Sequence, residues 1–330
     1  MKVTVLLPVY NAGHLLEGAI RSILRQDFED FEFVIIDDAS KDESAAVISR
    51  FANEDRRIKP ILHKQNAGLA ATLNEGLKAA SAPFVARMDQ DDESLPSRLR
   101  IQYTFMNSRP NVAVAGSFVY HMGISREHDR LVRLPVDAMA IKRLLPVENC
   151  MYHPSVMLNR ALVLRAGGYR REFRNAEDYD LWLRLSRNHD LANIPVPLIR
   201  YHFTVDGMTL GRKWEQLYFV FLAQASFMNP DKAWSAIEQI AKDQHSRLLK
   251  ADFMTGVLNG TMEELLALGY REQAIRLVER FSTDIGPTAT ADALAKCSEQ
   301  TRGPAVRGDD DVLVAFLWSA RGTRTISPKI

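Results

Sequence analysis

The N-terminal third of the chain alternates between two hydrophobic patterns, and this alternation constrains the fold more than any other feature. Nearly continuous apolar runs, which are typical of buried strands, occur at residues 3–7, 33–36, 58–62 and 84–88. Apolar residues at helical spacing lie between them, at residues 15–24 and 70–80. The alternation predicts an α/β fold with a doubly wound sheet. Ligands of such sheets bind beyond the carboxyl ends of the strands.

The bulk properties of the chain narrow the class of protein. At 330 residues it is long enough for more than one folding unit, and its formal net charge of +1 predicts no nucleic-acid partner. Cys150 and Cys297 lie far apart in the sequence and form no metal or redox motif, which favours a reducing cytoplasm. No apolar stretch reaches the roughly 18 residues needed to span a membrane. We therefore expect a cytoplasmic protein without a transmembrane segment, and we leave peripheral contact with a membrane open.

The second half of the chain has a different character. Shorter elements are predicted there, a strand at 112–119, helices at 159–166 and from Asp178, and extended structure at 198–203. Long helical patterns follow at residues 214–228, 231–251, 261–268 and 271–281. We predict an α/β domain at residues 1–210 and a C-terminal helical region at residues 211–330. The helical region contains no motif that assigns its role, and a homo-oligomer formed through it is left open.

Polar residues follow three of the predicted strands, at residues 8–11, 37–38 and 89–92. The carboxyl ends of parallel strands meet at one edge of a sheet, so these residues are expected on the same edge. Asp89, Asp91 and Asp92 place like charges so close together that a cation is needed to neutralise them. Residues two apart on an extended backbone face the same side, and hard divalent cations bind carboxylate and phosphate oxygens. The run predicts a seat for a metal–diphosphate complex; the alternative is a solvated acidic turn before a helix near Pro96.

Five short motifs follow one another in a definite order along the first two thirds of the chain. They are residues 8–11, residues 34–40, residues 66–68 with 74–76, residues 89–92, and residues 177–184. With these motifs the chain resembles glycosyltransferase family 2, whose members are inverting enzymes of the GT-A fold. The resemblance covers residues 1–205 and implies a Rossmann-like mixed sheet flanked by helices. The C-terminal helical region lies outside it.

The resemblance implies a nucleotide-sugar donor and a set of residues that bind it. Asp38 would accept a hydrogen bond from the base, which implies uracil and a UDP-sugar. The other implied donor-site residues are Pro8, Val9, Tyr10 and Asn11 around the base, and Asn66 and Gly68 on a tight loop. The residues alone also allow simpler roles. Asp38 could form an Asx turn, Ser40 and Glu43 form a capping-box pattern, and Asn11 could cap the first helix.

The resemblance assigns the acidic run at residues 89–92 to the DXD motif of the family. It implies that Asp89 faces mainly the ribose and diphosphate, and that Asp89 and Asp91 bind Mn²⁺ or Mg²⁺. His202, on the predicted extended segment, would complete the metal shell through an imidazole nitrogen. The alternative for His202 is an ordinary histidine on a half-buried strand.

The resemblance also implies a catalytic base. An inverting transfer needs a carboxylate that takes the proton of the attacking hydroxyl, and the family places it at the position of Asp178. Glu177 would position the acceptor or the base. The alternative is that these acidic residues stabilise a helix N-terminus through the macrodipole, an environment that we expect to lower the pKa of Asp178.

The function that the resemblance implies is an inverting, metal-dependent transferase of the hexosyltransferase type. It would move a sugar from a UDP-sugar to the hydroxyl of a glycan or lipid-linked acceptor in cell-surface polysaccharide synthesis. No Gln-x-x-Arg-Trp-type motif follows Asp178, which favours single addition over processive polymerisation. The rival hypotheses are a nucleotidyltransferase, which would not need Asp178, and a degenerate nucleotide-sugar-binding or scaffold protein. A dinucleotide oxidoreductase is disfavoured because no Gly-x-Gly-x-x-Gly follows the first strand.

Overall fold

The computed structural model describes residues 1–202, 213–248, 262–263, 265–272, 274–275, 278–279 and 287–299. A nine-stranded mixed sheet forms its centre. In chain order the strands are β1 Val3–Val9, β2 Phe31–Asp37, β3 Ile58–Leu62, β4 Phe84–Arg87, β5 Glu93–Ser94, β6 Val112–His121, β7 Arg130–Val132, β8 Met157–Asn159 and β9 Asp190–Tyr201. Their order across the sheet is β3-β2-β1-β4-β8-β6-β9-β5, and β7 pairs with β6.

Ten helices are described along the chain. They are α1 Leu16–Leu24, α2 Ser44–Glu54, α3 Leu69–Ala79, α4 Arg98–Asn107, α5 Ala138–Leu144, α6 Arg160–Arg165, α7 Glu177–Ser186, α8 Lys213–Met228, α9 Trp234–Leu248 and α10 Pro287–Glu299. Three short 3₁₀ turns occur at Gly13–Leu15, Arg126–His128 and His153–Ser155. In the part of the chain that the structure describes, no helix is both long and apolar enough to cross a membrane.

The N-terminal half of the sheet is parallel. β1 lies between β2 and β4 and pairs in parallel with both, with Val9 opposite Asp37 and Leu6 opposite Arg87. Every residue of β1 and β2 is buried, because helices cover both faces of a parallel sheet. In this register the residues that follow β1, β2 and β4 emerge at one edge of the sheet. The prediction that the three polar groups share an edge is confirmed.

The other half of the sheet is antiparallel and brings a distant segment back to the same edge. β8 pairs antiparallel with β4 and with β6. β9 pairs antiparallel with the two-residue strand β5, which places Arg200 opposite Glu93. His202 follows β9 directly, and its backbone N–H donates to Asp92 Oδ1 at 2.7 Å. A residue far along the chain from the acidic run is thereby fixed beside it.

Most element positions agree with the sequence patterns, and the prediction of a capping box at Ser40 was wrong. The four N-terminal strands, α1, α3 and α7 all occur within a few residues of the predicted bounds. The capping box is absent, because α2 begins at Ser44 and Ser40 Oγ instead accepts the backbone N–H of Asn11 at 2.9 Å. The described residues after 212 are largely helical, as predicted, whereas parts of the predicted helices at 231–251, 261–268 and 271–281 lie outside the described residues.

Packing divides the chain into two compact units. One contains residues 1–120, 131–202 and 214–238, and the other contains residues 121–130, residue 213 and the described residues that follow 238. Apart from His121 and Arg130, the sheet belongs to the first unit, as does helix α8 from Trp214 onward. The division into an α/β domain at 1–210 and a helical region at 211–330 stays a prediction.

Arg98, the first residue of α4, is fully buried and ties the edge of the sheet together. Its guanidinium donates to the carbonyl oxygens of Arg87 at 2.5 Å and Val156 at 3.2 Å. It also donates to Ser94 Oγ at 2.9 Å and to Gln102 Oε1 at 3.0 Å. Burial lowers the pKa of Arg98 to about 9, so the group is still charged at neutral pH. One side chain therefore joins the end of β4, the segment before β8, and β5.

Replacing Arg98 should destabilise the protein strongly. Arg98→Met removes the buried guanidinium and its four hydrogen bonds. The free energy of unfolding, measured by chemical denaturation, should fall by about 2–4 kcal/mol. Arg100→Met is the matched control, because Arg100 lies on the same helix but is exposed and contacts only Asp27 among the interactions described. It should leave the free energy of unfolding nearly unchanged. Equal losses for the two variants would show that Arg98 does not brace the sheet edge.

Candidate functional site

The end of β1 and the acidic run are joined by a residue that the sequence patterns did not single out. The side-chain oxygen of Gln90 accepts the backbone N–H of Tyr10 at 2.7 Å, and its amide donates to the Tyr10 carbonyl at 3.2 Å. Pro8 and Val9 are buried within β1, whereas Tyr10 is exposed. The backbone of the exposed Tyr10 is thus held against the acidic run.

Asn11 connects the end of β1 to the turn after β2 rather than capping a helix. It has a positive φ of 51°, and its Oδ1 accepts the backbone N–H of Lys41 at 2.8 Å. The alternative in which Asn11 caps the first helix is excluded, because the residue before the 3₁₀ turn is Ala12 and no side chain caps it. The side chain of Asn11 therefore joins the two loops that follow β1 and β2.

Asp38 is buried at the end of β2, where it organises the loop of residues 66–68. Its Oδ1 accepts the N–H of Ala67 and contacts His63 Nδ1, both at 2.7 Å, and its Oδ2 accepts the N–H of Gly68 at 2.8 Å. The Asn66 amide donates to the Asp38 carbonyl at 3.1 Å, and Gly68 has a φ of +83°. Burial opposes ionisation, but these hydrogen bonds hold the pKa of Asp38 below its usual value. The structure brings Asp38, Asn66 and Gly68 together as predicted.

The acidic run forms a turn between β4 and β5, which we call the carboxylate turn (residues 89–92). The expectation that its side chains alternate along an extended backbone was wrong. Asp89 Oδ1 pairs with Arg87 Nη2 at 2.5 Å, and Asp92 is fully buried and accepts the N–H of His202. Asp91 is about one-third exposed. The tertiary fold therefore gives each of the three carboxylates a different environment, and Asp92 neither starts a helix nor faces solvent.

The carboxylate turn carries more negative charge than its described partners neutralise. Burial and the neighbouring charge of Asp89 raise the pKa of Asp91 to about 6. Burial, Asp89 and Asp91 raise the pKa of Asp92 well above its usual value. The Asp92 Oδ2 atom is buried and has no hydrogen-bond partner among the described residues. Close, incompletely paired carboxylates of this kind are the electrostatic environment that a cation stabilises.

His202 has the geometry of a second ligand type beside the carboxylate turn. Its Nδ1 lies 3.8 Å from Asp91 Oδ2 and makes no hydrogen bond within the described part of the chain. Burial lowers the pKa of His202, which favours the neutral imidazole that can ligate a metal. Two atoms that each lie about 2.1 Å from one cation are at most about 4.2 Å apart, so this pair fits a shared divalent ion.

The protein groups alone do not complete a metal site. In the ranges that the structure describes, no three His, Cys, Asp or Glu side chains converge on one point. Asp91 and His202 would supply two ligands, while Arg87 occupies one oxygen of Asp89. Carboxylate and imidazole donors fit Mn²⁺ or Mg²⁺ when other oxygen ligands fill the remaining positions.

Arg87, at the end of β4, is a buried cation that the motifs did not predict. Its side chain is 3% exposed, and Nη2 pairs with Asp89, whereas Nε and Nη1 have no hydrogen-bond partner among the described residues. Its positive charge also lowers the pKa of Glu177 and of Asp178 in opposition to burial. A charged residue inside an otherwise apolar strand was the sequence signal. Arg87 links the carboxylate turn electrostatically to the start of α7.

Glu177, which is buried, and Asp178, which is half-buried, open helix α7 as an acidic pair. Asp178 Oδ1 accepts a hydrogen bond from the backbone N–H of Tyr179 at 2.7 Å, and Oδ2 accepts one from the side-chain amide of Asn149 at 3.3 Å. The pKa of Asp178 is raised by burial, so the expected lowering at a helix N-terminus was wrong. Burial and Asp178 raise the pKa of Glu177 to about 8. At neutral pH the pair can hold a proton, and Asn149 is a further contact that the sequence patterns missed.

Comparison with known proteins agrees with this arrangement. The family model described as Glycosyl transferase family 2 matches residues 4–167. The amylovoran biosynthesis glycosyltransferase AmsE of Erwinia amylovora is 34% identical over 232 residues, which cover 67% of this chain and 85% of that protein. The chain belongs to glycosyltransferase family 2. It is therefore a glycosyltransferase, and family membership, which is consistent with an inverting mechanism, rules against the nucleotidyltransferase hypothesis.

A second relative and two solved structures extend the comparison. The Escherichia coli protein WfgD, a UDP-Glc:alpha-D-GlcNAc-diphosphoundecaprenol beta-1,3-glucosyltransferase, is 28% identical over 65% of this chain and 85% of its own length. Residues 1–349 of S. aureus TarS, in complex with UDP-GlcNAc, superpose with a TM-score of 0.58 at 20% identity, covering 91% of this chain and 89% of that one. The Pyrobaculum calidifontis mannosyltransferase PcManGT, in complex with GDP-Man and Mn²⁺, has a TM-score of 0.55 at 16% identity, covering 97% and 85%. These likenesses confirm the GT-A fold of the transferase.

The acidic pair at the start of α7 should make the stability of the transferase depend on pH. Glu177 has a folded-state pKa of about 8 and an ordinary value of 4.5, so the folded state binds more protons between these values and loses stability as pH rises through them. Glu177→Gln removes this dependence. As pH rises through this range, the free energy of unfolding of wild type should fall relative to that of the variant, by at most about 1.4 kcal/mol per pH unit. Denaturant titrations across this range measure it.

The matched control for this measurement is Glu172→Gln. Glu172 is exposed on the turn before α7, so its replacement should leave the pH dependence of unfolding as it is in wild type. A wild-type profile that runs parallel to that of Glu177→Gln would contradict the assignment of a raised pKa to Glu177.

Proposed function

We propose that this transferase moves a hexosyl group from a UDP-sugar to an acceptor hydroxyl with inversion at the anomeric carbon, assisted by Mn²⁺ or Mg²⁺. The observation that carries the proposal is the incompletely neutralised carboxylate turn, which lies between Asp38 and the acidic pair of α7 in the family's order of motifs. Such a turn can receive a metal and a diphosphate together, because the cation neutralises the carboxylates and the diphosphate supplies further oxygen ligands to the cation.

The proposed donor is a UDP-sugar because of the hydrogen-bonding capacity left on Asp38. A carboxylate offers about four acceptor positions, and contacts with His63, Ala67 and Gly68 use three of them. The remaining position, on Oδ2, suits a base that presents a single N–H, as uracil does. Pro8, Val9, Tyr10 and Asn11 would surround the base, with the exposed Tyr10 ring as a stacking surface. The UDP-sugar complex of TarS supports this choice by likeness of fold alone.

Asp91 and His202 are the proposed protein ligands of the metal, and Asp89 would contact the ribose and diphosphate while contributing to the metal site. The pairing of Asp89 with Arg87 supports a mainly orienting role for this carboxylate. When bound, a divalent cation would neutralise negative charge that develops on the leaving diphosphate. Arg87 adds a fixed positive charge at the same place, which is the kind of preorganised electrostatics that stabilises a developing anion.

Asp178 is the proposed catalytic base. Its carboxylate would take the proton of the acceptor hydroxyl while the acceptor oxygen bonds to the anomeric carbon and the carbon–oxygen bond to the diphosphate breaks, with the electron pair leaving on the diphosphate. A pKa raised by burial strengthens Asp178 as a base, and the Asn149 amide restricts its orientation. Glu177, which is buried beside it, would hold the acceptor or the base through its own proton.

The proposed acceptor is a glycan or a lipid-linked sugar in cell-surface polysaccharide synthesis, and the proposed place of action is the cytoplasm or the cytoplasmic surface of a membrane. The names of AmsE and WfgD support such an acceptor, since one refers to amylovoran synthesis and the other to a diphosphoundecaprenol-linked sugar. We propose residues 1–210 as the transferase domain. The helical region at residues 211–330 would hold the acceptor or pair two copies of the chain.

Removing the Asp91 carboxylate should make UDP binding independent of Mn²⁺. In wild type, Mn²⁺ should tighten UDP binding by at least about tenfold, because the cation bridges carboxylate and diphosphate. In Asp91→Ala this enhancement should vanish, as measured by calorimetric titration of UDP with and without Mn²⁺. Asp30→Ala is the control, since Asp30 lies before β2 at the opposite edge of the sheet and should leave the enhancement intact. If Mn²⁺ fails to strengthen UDP binding in wild type, the proposed metal site is wrong.

Removing the charge of Asp178 should separate donor binding from transfer. Asp178→Asn keeps the size of the side chain, so UDP binding should stay within about twofold of wild type while the rate of sugar transfer falls by about 10²–10⁴-fold. Donor turnover measured by UDP release, beside the UDP dissociation constant, provides both readouts. Unchanged transfer would exclude Asp178 as the base.

A further inference from the structure

His63, the first residue after β3, bridges two carboxylates from different parts of the fold. Its Nδ1 lies 2.7 Å from Asp38 Oδ1, and its Nε2 lies 2.9 Å from Glu75 Oε2. Asp38 follows β2, and Glu75 lies within α3. The imidazole side chain is 12% exposed, that of Asp38 is 6% exposed, and that of Glu75 is 49% exposed. The bridge therefore has a buried inner end at Asp38 and a solvent-facing outer end at Glu75.

Both contacts are satisfied only when the ring is protonated. An ionised carboxylate can only accept hydrogen bonds, and a neutral imidazole has a single N–H. Two nitrogens within hydrogen-bond distance of two carboxylates therefore require an imidazolium. Asp38 and Glu75 are the charged groups that act on the ring, and although burial opposes the charge, their hydrogen bonds raise the pKa of His63 above its usual value.

The bridge restrains the same carboxylate that organises the loop before α3. Asp38 Oδ1 accepts from both His63 and Ala67, while Oδ2 accepts from Gly68 alone. α3 starts directly after Gly68, and Thr72 in its first turn donates to the Gly68 carbonyl at 3.0 Å. The ring thus ties the ends of β2 and β3 to α3 and fixes which lone pairs of Asp38 are used internally.

We propose that His63 is a positioning residue for the donor base: as an imidazolium held by Glu75, it fixes the Asp38 carboxylate so that one acceptor position of Oδ2 stays available to the base. This inference rests on the donor-site role proposed for Asp38. His63 itself need not contact the nucleotide, so its effect is exerted through the orientation and charge of Asp38.

The geometry makes nucleotide affinity depend on pH with a definite sign. As pH rises through the raised pKa of His63, the ring loses one of its two N–H protons. One of the two carboxylates then loses its hydrogen bond and faces a nitrogen lone pair. Glu75, which is half-exposed, can turn to water, whereas Asp38 is buried and stays beside the ring. Asp38 then loses the opposing charge that restrains it. The affinity for UDP should therefore fall with rising pH but not disappear.

The experiment is a calorimetric measurement of UDP binding from about pH 6 to about pH 9, the range in which a histidine with a raised pKa titrates. Wild type should lose affinity by about fivefold across the range, roughly the net contribution of one ordinary hydrogen bond. His63→Gln should bind about fivefold more weakly at the low end, and the fall in affinity assigned to His63 should be absent from its pH profile. His128→Gln, an exposed histidine in the other compact unit, should follow the wild-type profile.

Glu75→Gln tests whether His63 acts through its charge. It should change the pH at which UDP affinity falls, which a purely structural role of His63 would leave unchanged. Without the outer carboxylate the pKa of His63 should fall, so affinity at the low end should stay near that of wild type while its loss begins at lower pH. This variant decides the question even if His63→Gln does not fold, which circular dichroism would reveal. An unshifted transition in Glu75→Gln, or wild-type binding by a folded His63→Gln, would overturn the role of His63.

Failure of the donor-site proposal has a different signature. Asp38→Asn should abolish most UDP binding at every pH. If wild type does not bind UDP, or if Asp38→Asn binds it as wild type does, the base pocket is misassigned, and the role of His63 is overturned together with it. If Asp38→Asn fails to bind while the His63 and Glu75 variants behave as wild type, the donor site stands and only the inference about His63 is overturned.

Discussion

Parallel pairing of β1 with both β2 and β4 is the constraint on which the rest of the structure depends. Because the three strands run in the same direction and in register, the residues that follow each of them emerge at one edge of the sheet. Asp38, Tyr10 and the carboxylate turn meet there without being close in sequence. The antiparallel return of β9 adds His202 to that edge. Every proposed step of donor binding takes place on this edge.

A small number of buried charges holds the edge in shape. Arg98 joins the ends of strands through their carbonyl groups, and Arg87 pairs with Asp89 while its charge also reaches the acidic pair of α7. On the other side of β1, His63 links Asp38 to α3. Burying an unpaired charge is costly, so each of these groups forces its partners into a defined position. The cation proposed at the carboxylate turn would complete this pattern where the described residues leave negative charge uncompensated.

Periodic features were predictable, whereas the environments of single side chains were not. The buried strands, most of the helices, the mixed α/β class and the common edge all followed from hydrophobic spacing and the order of motifs. The predictions of a capping box at Ser40 and of an extended backbone at the carboxylate turn were wrong, and Asn11 does not cap the first helix. Tertiary hydrogen bonds displaced these local patterns. The lowered pKa expected for Asp178 was also wrong, since burial outweighs the helix N-terminus.

The sequence by itself determined the family, the fold class and the identity of the residues at the strand ends, because these depend on spacing along the chain. The tertiary structure alone decided which of those residues share partners. The Gln90 bridge to Tyr10, the pairing of Arg87 with Asp89, and the contact of His63 with both Asp38 and Glu75 each join segments through space. The pKa values of Asp91 and Glu177 likewise depend on burial and on neighbouring charges, which no local pattern encodes.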